Sequence, residues 1–377
     1  MRYDTIVLGL GGMGSAVAAH ASRRGQRVLG LERFGPAHKR GSSHGETRII
    51  RQAYFESPDY VPMLQRAYVL WDELAVRSET RLRDQTGGLF VGRPDAKVVA
   101  GTLASARRWN LAHEIYDAAE MRRSFPVTPY DDEIGVFEAI AGVVFPEAGV
   151  RAHLRDALEN GAALRFGARV MSWEANDGGI KVALEDGEQV VAARIAICAG
   201  PWFAKIAPDL DLPLRVERNV QFWFMSRNKD AVGPDRLPVY VVERDGGPIF
   251  YGFPDFDGRG AKIAHHGSGQ LADPDSFARG ATQEEIAVAE ATLESFVPLA
   301  SDGFARADPC MYTLTPDEHF VIGAHPRHAN VIVAGGFSGH GYKFTPVVGE
   351  IVAALLAGED PGFNLDIFSP TRFSTSA

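Results

Sequence analysis

The sequence predicts an α/β fold in which a Rossmann-like domain is interleaved with a second domain built on a mostly antiparallel sheet. Three observations support this prediction. The chain opens with a complete βαβ pattern, short strand-like runs separated by Gly, Asp and Pro fill residues 214–266, and a last buried strand with a glycine cluster comes only at 330–341. A chain of 377 residues is also too long for one ordinary core, which favours two domains.

The βαβ pattern occupies the start of the chain. Residues 5–9 are predicted as a buried strand, 14–24 as a helix that ends at Gly25, and 27–32 as a second strand. Two apolar strands on either side of one helix form the unit from which nucleotide-binding sheets are built. The pattern therefore places a parallel sheet at the beginning of the chain.

A glycine fingerprint lies inside this unit. Gly9, Gly11 and Gly14 follow the G-x-G-x-x-G spacing, and Glu32 closes the second strand. The glycines allow a tight turn, a close approach of backbone to a pyrophosphate, and close packing of helix on strand. The helix amino terminus favours the phosphates, and Glu32 is placed to accept hydrogen bonds from a ribose. We therefore predict a dinucleotide site; the alternative is a glycine-rich loop that only packs.

The rest of the chain continues both kinds of pattern. Further predicted elements are a helix at 60–73, a strand at 88–92, a helix at 150–160, a hairpin of 168–173 with 179–184, a buried strand at 194–200, a helix at 283–296 and a closing helix at 346–357. We assign residues 1–84, 145–213 and 305–377 to the nucleotide-binding domain, and 85–144 and 214–304 to a substrate-binding domain.

Composition narrows the class of protein. Hydrophobic residues make up 45% and charged residues 23% of the chain, which is typical of a globular enzyme. The net charge of -9 argues against a nucleic acid or an anionic membrane as partner and favours a small ligand. The glycine-broken start resembles neither a signal peptide nor a membrane span. Two distant cysteines, Cys198 and Cys310, suit a reducing cytoplasm, so we expect a cytoplasmic protein.

The fingerprint does not separate FAD from NAD, because both cofactors contain the ADP half that it binds. A nicotinamide dehydrogenase usually completes its dinucleotide domain in the first half of the chain. Here the last buried strand and its glycine turn appear only after residue 330. This arrangement brings a helix amino terminus near the carboxyl end of the chain toward the first glycine loop, which favours a flavin.

Three motifs carry a family resemblance. They are GSSHGETRIIR at 41–51, CMYTLTPDEHF at 310–320 and GFSGHGYKF at 336–344. Together they closely resemble the monomeric sarcosine oxidase family, a group of FAD-dependent amine oxidases that includes N-methyltryptophan oxidase and pipecolate oxidase. The similarity runs from the first strand to about Phe368. It implies an FAD-binding domain of the glutathione reductase type and a monomer.

The resemblance implies that FAD is covalently attached. The family forms a thioether between the flavin 8α carbon and a cysteine that matches Cys310, and the glycines Gly339 and Gly341 belong to the cofactor-binding motif. Without the family, a single cysteine after Pro309 is more often a small buried hydrophobe. Cys198, inside an apolar strand, keeps that simpler interpretation.

The resemblance also assigns the basic residues of the 41–51 motif. It implies that Arg51 binds the substrate carboxylate together with Lys343, and that His44 and Arg48 lie against the flavin ring. An amino-acid substrate needs a fixed cation in a dry pocket, and the arginine fork suits a carboxylate. The alternatives are a solvated basic patch or structural ion pairs.

Four further residues complete the expected site. The resemblance implies that Lys262 activates oxygen on the flavin face away from the substrate, and that His266 and Tyr251 orient the substrate amine. Tyr312, two residues after Cys310, is expected to line the same pocket. The alternatives are an edge-strand lysine that discourages aggregation and a histidine that is simply buried with satisfied hydrogen bonds.

A metal site is not expected. Four histidines lie near the carboxyl end of the chain, but no carboxylate or cysteine accompanies them at the spacing of metal ligands. These histidines are His319, His325, His328 and His340.

The sequence therefore predicts a flavoprotein oxidase of secondary amino acids, with a small-molecule substrate and oxygen as its partners. A hydride equivalent leaves the C–N bond, the imine hydrolyses, and oxygen is reduced to hydrogen peroxide. Alternatives are a flavin amine dehydrogenase that passes electrons to a carrier, an NAD-dependent dehydrogenase, and a redox-inert FAD-binding protein. Departures from the sarcosine oxidase pattern leave a bulkier or cyclic substrate open; they occur at Ser43, His265, Gly267 and Ser268.

Overall fold

The computed structural model describes residues 3–176, 178–244, 247–267 and 269–373. Ser268, one of the departures named above, lies outside these residues. The helices are α1 (Gly12–Arg23), α2 (Val61–Ser78), α3 (Lys97–Arg108), α4 (Ala118–Ser124), α5 (Pro146–Glu159), α6 (Phe203–Ile206), α7 (Gln283–Phe296) and α8 (Thr345–Ala357).

Within the described residues the strands form three sheets. In chain order they are β1 (Tyr3–Leu8), β2 (Val28–Glu32), β3 (Arg48–Ile50), β4 (Arg83–Gln85), β5 (Gly88–Gly92), β6 (Glu114–Tyr116), β7 (Ile134–Glu138), β8 (Gly142–Val144), β9 (Ala163–Phe166), β10 (Val170–Asn176), β11 (Gly179–Leu184), β12 (Gln189–Ile197), β13 (Arg215–Phe224), β14 (Val239–Val242), β15 (Phe250–Phe253), β16 (Ala261–His265), β17 (Phe304–Leu314), β18 (Val321–His325) and β19 (His328–Gly335).

The first sheet is the predicted nucleotide-binding sheet. Its central strands run parallel in the order β9-β2-β1-β12-β19, while β10, β11 and β18 join by antiparallel pairing. The helices α1, α2, α5 and α8 contribute to one continuous apolar core with β1 and β12. The helix α1 begins at Gly12, two residues before the predicted start, because the fingerprint glycines themselves form its first turn. The carboxyl ends of β1 and β2 thus meet the glycine loop at one edge of the sheet.

The second sheet confirms the predicted antiparallel layer. Its order is β17-β13-β16-β15-β14-β5-β7-β6, and only the β5–β14 pair is parallel. The helix α7 packs its buried Leu293 and Phe296 into the core of this sheet. A small third sheet of β3, β8 and β4 lies outside both large ones. Within the described residues, no helix is both long and apolar enough to cross a membrane.

One predicted domain boundary is wrong. The division at residue 305 cuts β17, which pairs along its length with β13 of the antiparallel sheet. The sequence segment after Phe304 therefore stays in the antiparallel layer until Leu314, and only β18 and β19 return to the parallel sheet. The rest of the division into two domains stays a prediction.

Candidate functional site

The glycine loop adopts a conformation that only glycine tolerates well. Gly9 has φ +84° and donates its amide to Leu31 O at 2.8 Å. A Cβ atom on Gly14 would lie 1.7 Å from Gly9 O, so the helix α1 approaches the loop more closely than any side chain permits. Oε2 of Glu32 accepts the Leu10 amide at 2.8 Å. Glu32 therefore holds the loop in place as well as facing the space beside it.

A cavity of about 300 Å³ extends from this loop to the antiparallel sheet. Gly9, Gly11 and Glu32 line one end, and Arg48 and Tyr312 line the other. The structure also brings Gly339 and Gly341 to the same cavity, although they are more than 300 residues away from the glycine loop in sequence. Gly339 has φ +77°, and a Cβ there would lie 2.4 Å from the Tyr312 ring. The cavity thus joins all three parts of the predicted cofactor site.

His44 follows Ser42 and Ser43, which line the cavity, but it is not itself among the described residues that line it, so its predicted contact with the flavin ring stays a prediction. Its side chain is buried, and neither ring nitrogen has a hydrogen-bond partner among the described residues. Burial and the nearby Arg48 lower its pKa to about 3, so the ring is neutral at pH 7. Buried polar atoms of this kind normally have partners. The glycine loop, together with the polar residues Ser43 and Arg48 that do line the cavity, fits a dinucleotide such as FAD.

Arg48 connects the 41–51 segment to Cys310. Its Nη1 donates to Thr47 O at 2.8 Å and to Gln221 Oε1 at 3.0 Å, and its Nη2 lies 3.7 Å from Cys310 Sγ. Burial raises the pKa of the Cys310 thiol, and the guanidinium of Arg48 opposes that rise. Cys310 itself is buried on β17. The structure therefore places the predicted attachment cysteine beside a fixed cation.

Lys262 is fully enclosed by protein. Its ammonium donates to Gly45 O at 2.9 Å and to Thr47 O at 2.8 Å. Lys262 is not among the described residues that line the cavity of about 300 Å³. Burial, reinforced by the charge of Arg48, holds its pKa well below the ordinary range. Because β16 lies between β13 and β15, the alternative of an edge-strand lysine is wrong.

Glu147 is a residue of this region that the sequence did not reveal. Its Oε1 accepts the Gly45 amide at 2.7 Å, and its Oε2 accepts the Glu46 amide at 3.2 Å. Gly45 has φ +96°. Glu147 thus fixes the turn whose carbonyls hold Lys262, and no local signal connects it to a turn 102 residues earlier.

A second, smaller cavity of about 70 Å³ shares Arg48, Gly339 and Tyr342 with the first. Polar side chains from four distant segments line it, namely Arg51, Tyr251, His266 and Lys343. Tyr312 lines the larger cavity, but its hydroxyl lies 3.1 Å from the hydroxyl of Tyr251. The structure therefore brings the predicted substrate residues to one place next to the cofactor cavity.

The two cations predicted to bind substrate, Arg51 and Lys343, already have partners. Nη2 of Arg51 lies 2.8 Å and 2.7 Å from the two carboxylate oxygens of Glu56, a residue the sequence analysis missed. Burial by itself opposes ionisation of Glu56, but Arg51 lowers its pKa to about 2. Lys343 donates to His340 O at 2.6 Å, and burial followed by repulsion from Arg51 lowers the pKa of Lys343 to about 7. Arg51 thus both lines the cavity and forms a structural ion pair.

The four histidines considered for a metal separate into two groups. His340 Nδ1 lies 2.5 Å from Tyr54 Oη, and His319 Nδ1 lies 3.0 Å from Tyr60 Oη. His325, by contrast, has a carboxylate neighbour, because Asp209 Oδ2 is 3.0 Å from its Nε2. The argument that no carboxylate accompanies these histidines is therefore wrong, since Asp209 comes from a segment far away in sequence.

Comparison with known proteins supports the same site. A family model described as FAD dependent oxidoreductase matches residues 4–355. A monomeric sarcosine oxidase of Streptomyces avermitilis is 45% identical, covering 99% of this chain and 98% of that protein. An N-methyl-L-tryptophan oxidase of Salmonella agona is 35% identical over 99% of this chain and its own full length. Among solved structures, NikD, an unusual amino acid oxidase essential for nikkomycin biosynthesis, is similar in fold with a TM-score of 0.87 at 23% identity over 98% of this chain and 97% of that chain.

A parallel sheet with this glycine loop, and a cavity that reaches an antiparallel layer, define the class of the protein: it is an FAD-dependent oxidoreductase. This confirms the prediction of FAD over a nicotinamide cofactor. Within that class, the chain belongs to the family of the monomeric sarcosine oxidases and N-methyl-L-tryptophan oxidases. The family resemblance that the three motifs carry is thereby confirmed.

Proposed function

We propose that this chain oxidises the C–N bond of a small secondary amino acid, such as an N-methyl amino acid, with oxygen as electron acceptor. The observation that carries the proposal is the pair of buried cations, Arg51 and Lys343, in a cavity of about 70 Å³ beside the FAD cavity. The names of its relatives, monomeric sarcosine oxidase and N-methyl-L-tryptophan oxidase, support the same class of substrate.

The two cations hold the substrate carboxylate. Arg51 offers a planar fork and Lys343 a point charge, and both are almost excluded from water, where a charge-assisted hydrogen bond is strong. The apolar walls beside them, formed by Ile49, Phe55 and Val241, suit a small aliphatic substituent on nitrogen or carbon. A substrate anchored in this way presents its C–N bond toward the shared residues of the two cavities.

His266 and Tyr251 receive the amine. Burial lowers the pKa of His266 and raises the pKa of Tyr251, so at pH 7 both groups are neutral. A neutral imidazole can accept a hydrogen bond from the substrate amine, whereas an imidazolium cannot and would repel a protonated amine. We assign His266 as the group that helps to keep the substrate amine unprotonated, and the Tyr251–Tyr312 pair, with oxygens 3.1 Å apart, as the group that orients it.

FAD, when bound, accepts two electrons from the C–N bond and returns them to oxygen. The atoms balance: the secondary amine loses a hydride and a proton to become an imine, and oxygen gains two electrons and two protons to become hydrogen peroxide. The imine then takes up water and splits into a primary amine and a carbonyl compound. For sarcosine these products would be glycine and formaldehyde.

Lys262 acts in the step in which oxygen is reduced. Its Nζ is held by Gly45 O and Thr47 O, next to the 41–51 segment that lines the cofactor cavity. The protonated form of Lys262 stabilises negative charge that develops on oxygen, and that negative charge in turn favours the protonated form. Retention of this lysine favours an oxidase over a flavin dehydrogenase that passes electrons to a carrier.

We further propose that Cys310 carries the FAD through a thioether. The cysteine lies next to Arg48, and its neighbours on β17, Met311 and Tyr312, line the FAD cavity. Nearby positive charge favours the thiolate, which is the nucleophilic form. We also propose a cytoplasmic monomer, on the net charge of -9, the unpaired cysteines and the relatives that are named monomeric.

The test is anaerobic mixing of the purified holoprotein with N-methyl amino acids of increasing size, followed by admission of oxygen. The proposal predicts bleaching of the flavin band by the small N-methyl amino acids and one hydrogen peroxide per substrate consumed. Rapid bleaching with slow peroxide formation would instead favour the amine dehydrogenase. Failure of every secondary amine to bleach the flavin would favour a redox-inert FAD-binding protein.

A further inference from the structure

The hairpin of β18 and β19 carries two histidines at its tip. His325 ends β18, His328 begins β19, and the two residues pair directly across the strands with only Pro326 and Arg327 between them. Their rings stack with centroids 5.0 Å apart. Side chains that face each other across an antiparallel pair are close enough to act on one ligand.

A carboxylate completes the group. Asp209 belongs to the turn Pro208–Leu210, and one ligand atom from each of Asp209, His325 and His328 lies within 4.8 Å of the others. Neighbouring ligand atoms around a four-coordinate zinc ion are separated by roughly 3.4 Å. The largest separation therefore has to shrink by up to roughly 1.4 Å, mainly by rotation of the half-buried His328, since Asp209 Oδ2 and His325 Nε2 are already 3.0 Å apart.

The imidazole of His325 gives a second, independent observation. Its side chain is fully buried, and within the described residues Nε2 has no partner of good hydrogen-bond geometry, although Asp209 Oδ2 lies 3.0 Å away as an ion-pair neighbour. The ring of Trp173 makes T-shaped contacts with both imidazole rings. A buried ring nitrogen that faces a carboxylate without a good hydrogen bond is placed to bind a metal cation together with that carboxylate.

We propose that Asp209, His325 and His328 form a binding site for a divalent transition-metal ion of the zinc type. Two imidazoles and one carboxylate match the ligand preferences of Zn²⁺, Ni²⁺ and Cu²⁺ rather than those of Mg²⁺ or Ca²⁺. The exposed side of Asp209 leaves the fourth position to water.

The site is separate from the oxidation chemistry. His328 begins β19, whereas the residues that follow the other end of this strand line the FAD cavity, and β19 has 8 residues. At about 3.3 Å per residue the two ends are roughly 23 Å apart. The metal would instead clamp the turn after α6, which leads toward β13, to the β18–β19 hairpin.

Arg327 forms an ion pair with the carboxylate of Asp209, which provides a specific test of the proposal. Its Nη2 lies 2.6 Å from Asp209 Oδ2, so the guanidinium competes with any metal ion for that oxygen. The arginine is largely exposed, and an ion pair of this kind contributes little to stability. Its removal should therefore strengthen metal binding, whereas removal of a ligand should weaken it.

The experiment is titration of the chelator-treated holoprotein with Zn²⁺ in competition with a chromophoric chelator. We expect the wild type to bind one Zn²⁺ per chain. His328→Ala and Asp209→Asn should bind Zn²⁺ at least about tenfold more weakly than the wild type, and Arg327→Ala should bind it more tightly. His113→Ala is the matched control, because this half-buried histidine lies outside the Asp209, His325 and His328 group and its Nδ1 contacts Leu111 O at 2.9 Å. The midpoint of thermal unfolding should rise with Zn²⁺ in the wild type and in the control, but less in the ligand variants.

Asp209→Asn keeps the proposal testable if His328→Ala folds poorly, since the substitution preserves the shape of an exposed side chain. Retained flavin absorbance shows that each variant is folded. Absence of saturable Zn²⁺ binding by the wild type would overturn the proposal. Equal affinity in the wild type, His328→Ala and Asp209→Asn would overturn it as well, because binding would then lie elsewhere.

Discussion

Both carboxylate oxygens of Glu56 lie within 2.8 Å of Nη2 of Arg51, so the cation proposed to bind substrate already holds an anion. The pair is almost excluded from water, with the side chains of Arg51 and Glu56 exposed by only 4% and 9%. At such low exposure the two charges interact strongly. A substrate carboxylate must therefore either join this pair or displace Glu56 from it.

The substitution Glu56→Gln should strengthen substrate binding while it weakens the fold. The amide no longer competes for Arg51, so KM for an N-methyl amino acid should fall. The buried guanidinium loses its counter-charge, which should lower the free energy of unfolding by about 3 kcal/mol. Steady-state kinetics and denaturant unfolding measure the two effects. Glu359→Gln is the control, because its carboxylate is exposed and pairs with Arg24 at the surface. An unchanged KM would show that Glu56 and substrate do not compete.

The substitution Cys310→Ala should release the flavin. If the thioether forms at this position, acid-precipitated wild type keeps its yellow colour in the pellet, and the variant loses the colour to the supernatant. Cys198→Ala is the control, since this thiol is buried in the core of the parallel sheet and burial raises its pKa to about 12. Colour that stays with the Cys310→Ala pellet would remove this cysteine from the attachment role.

The substitution Lys262→Met should separate the two halves of the reaction. Methionine fills similar space without charge, so anaerobic reduction of the flavin should be nearly unchanged. Reoxidation by oxygen should slow by about 100-fold or more, because the side chain can no longer take up a proton and stabilise negative charge on oxygen. Stopped-flow absorbance follows both steps, and Lys181→Met is the control, a half-buried lysine on β11 of the other large sheet. An equal fall in both rates would show that the lysine supports the site as a whole.

The charge of Lys343 should make carboxylate binding depend on pH. With its pKa at about 7, the ammonium is present below that pH and is lost as pH rises through it. The dissociation constant of a non-oxidisable carboxylate such as acetate should therefore rise between about pH 6 and about pH 8. Lys343→Arg should flatten this dependence, because an arginine stays protonated over the whole range. Measurement by flavin absorbance at several pH values decides the matter, and a pH-independent constant in the wild type would contradict the assignment.

Local patterns predicted those elements that carry their own signals. The strand β5 and the helix α7 have the predicted bounds. In α7 the capping box of Thr282 and Glu285 fixes the first turn, and the buried Leu293 and Phe296 give the helical period. The βαβ unit could also be predicted, because its glycines and apolar strands are adjacent in sequence.

What the sequence did not reveal depends on long-range contacts. The third sheet consists of three-residue strands, which are too short to show a period. The pairing of β17 with β13 could not be read from either strand alone, so the domain boundary fell on the wrong side of β17. Glu56 and Glu147 are ordinary acidic residues in sequence, and only the folded chain shows that each holds a part of the site.

The position of β17 has a consequence for how the molecule unfolds. This strand belongs to the antiparallel sheet, yet Met311, Tyr312 and Thr313 on it line a cavity whose other end is the glycine loop of the parallel sheet. A cofactor bonded to Cys310 and seated on Gly11 would span both sheets. Neither sheet could then open without losing contacts to the same molecule, which makes their melting cooperative. A calorimetric scan of the holoprotein should show one transition, and the same scan of Cys310→Ala stripped of flavin should broaden or divide.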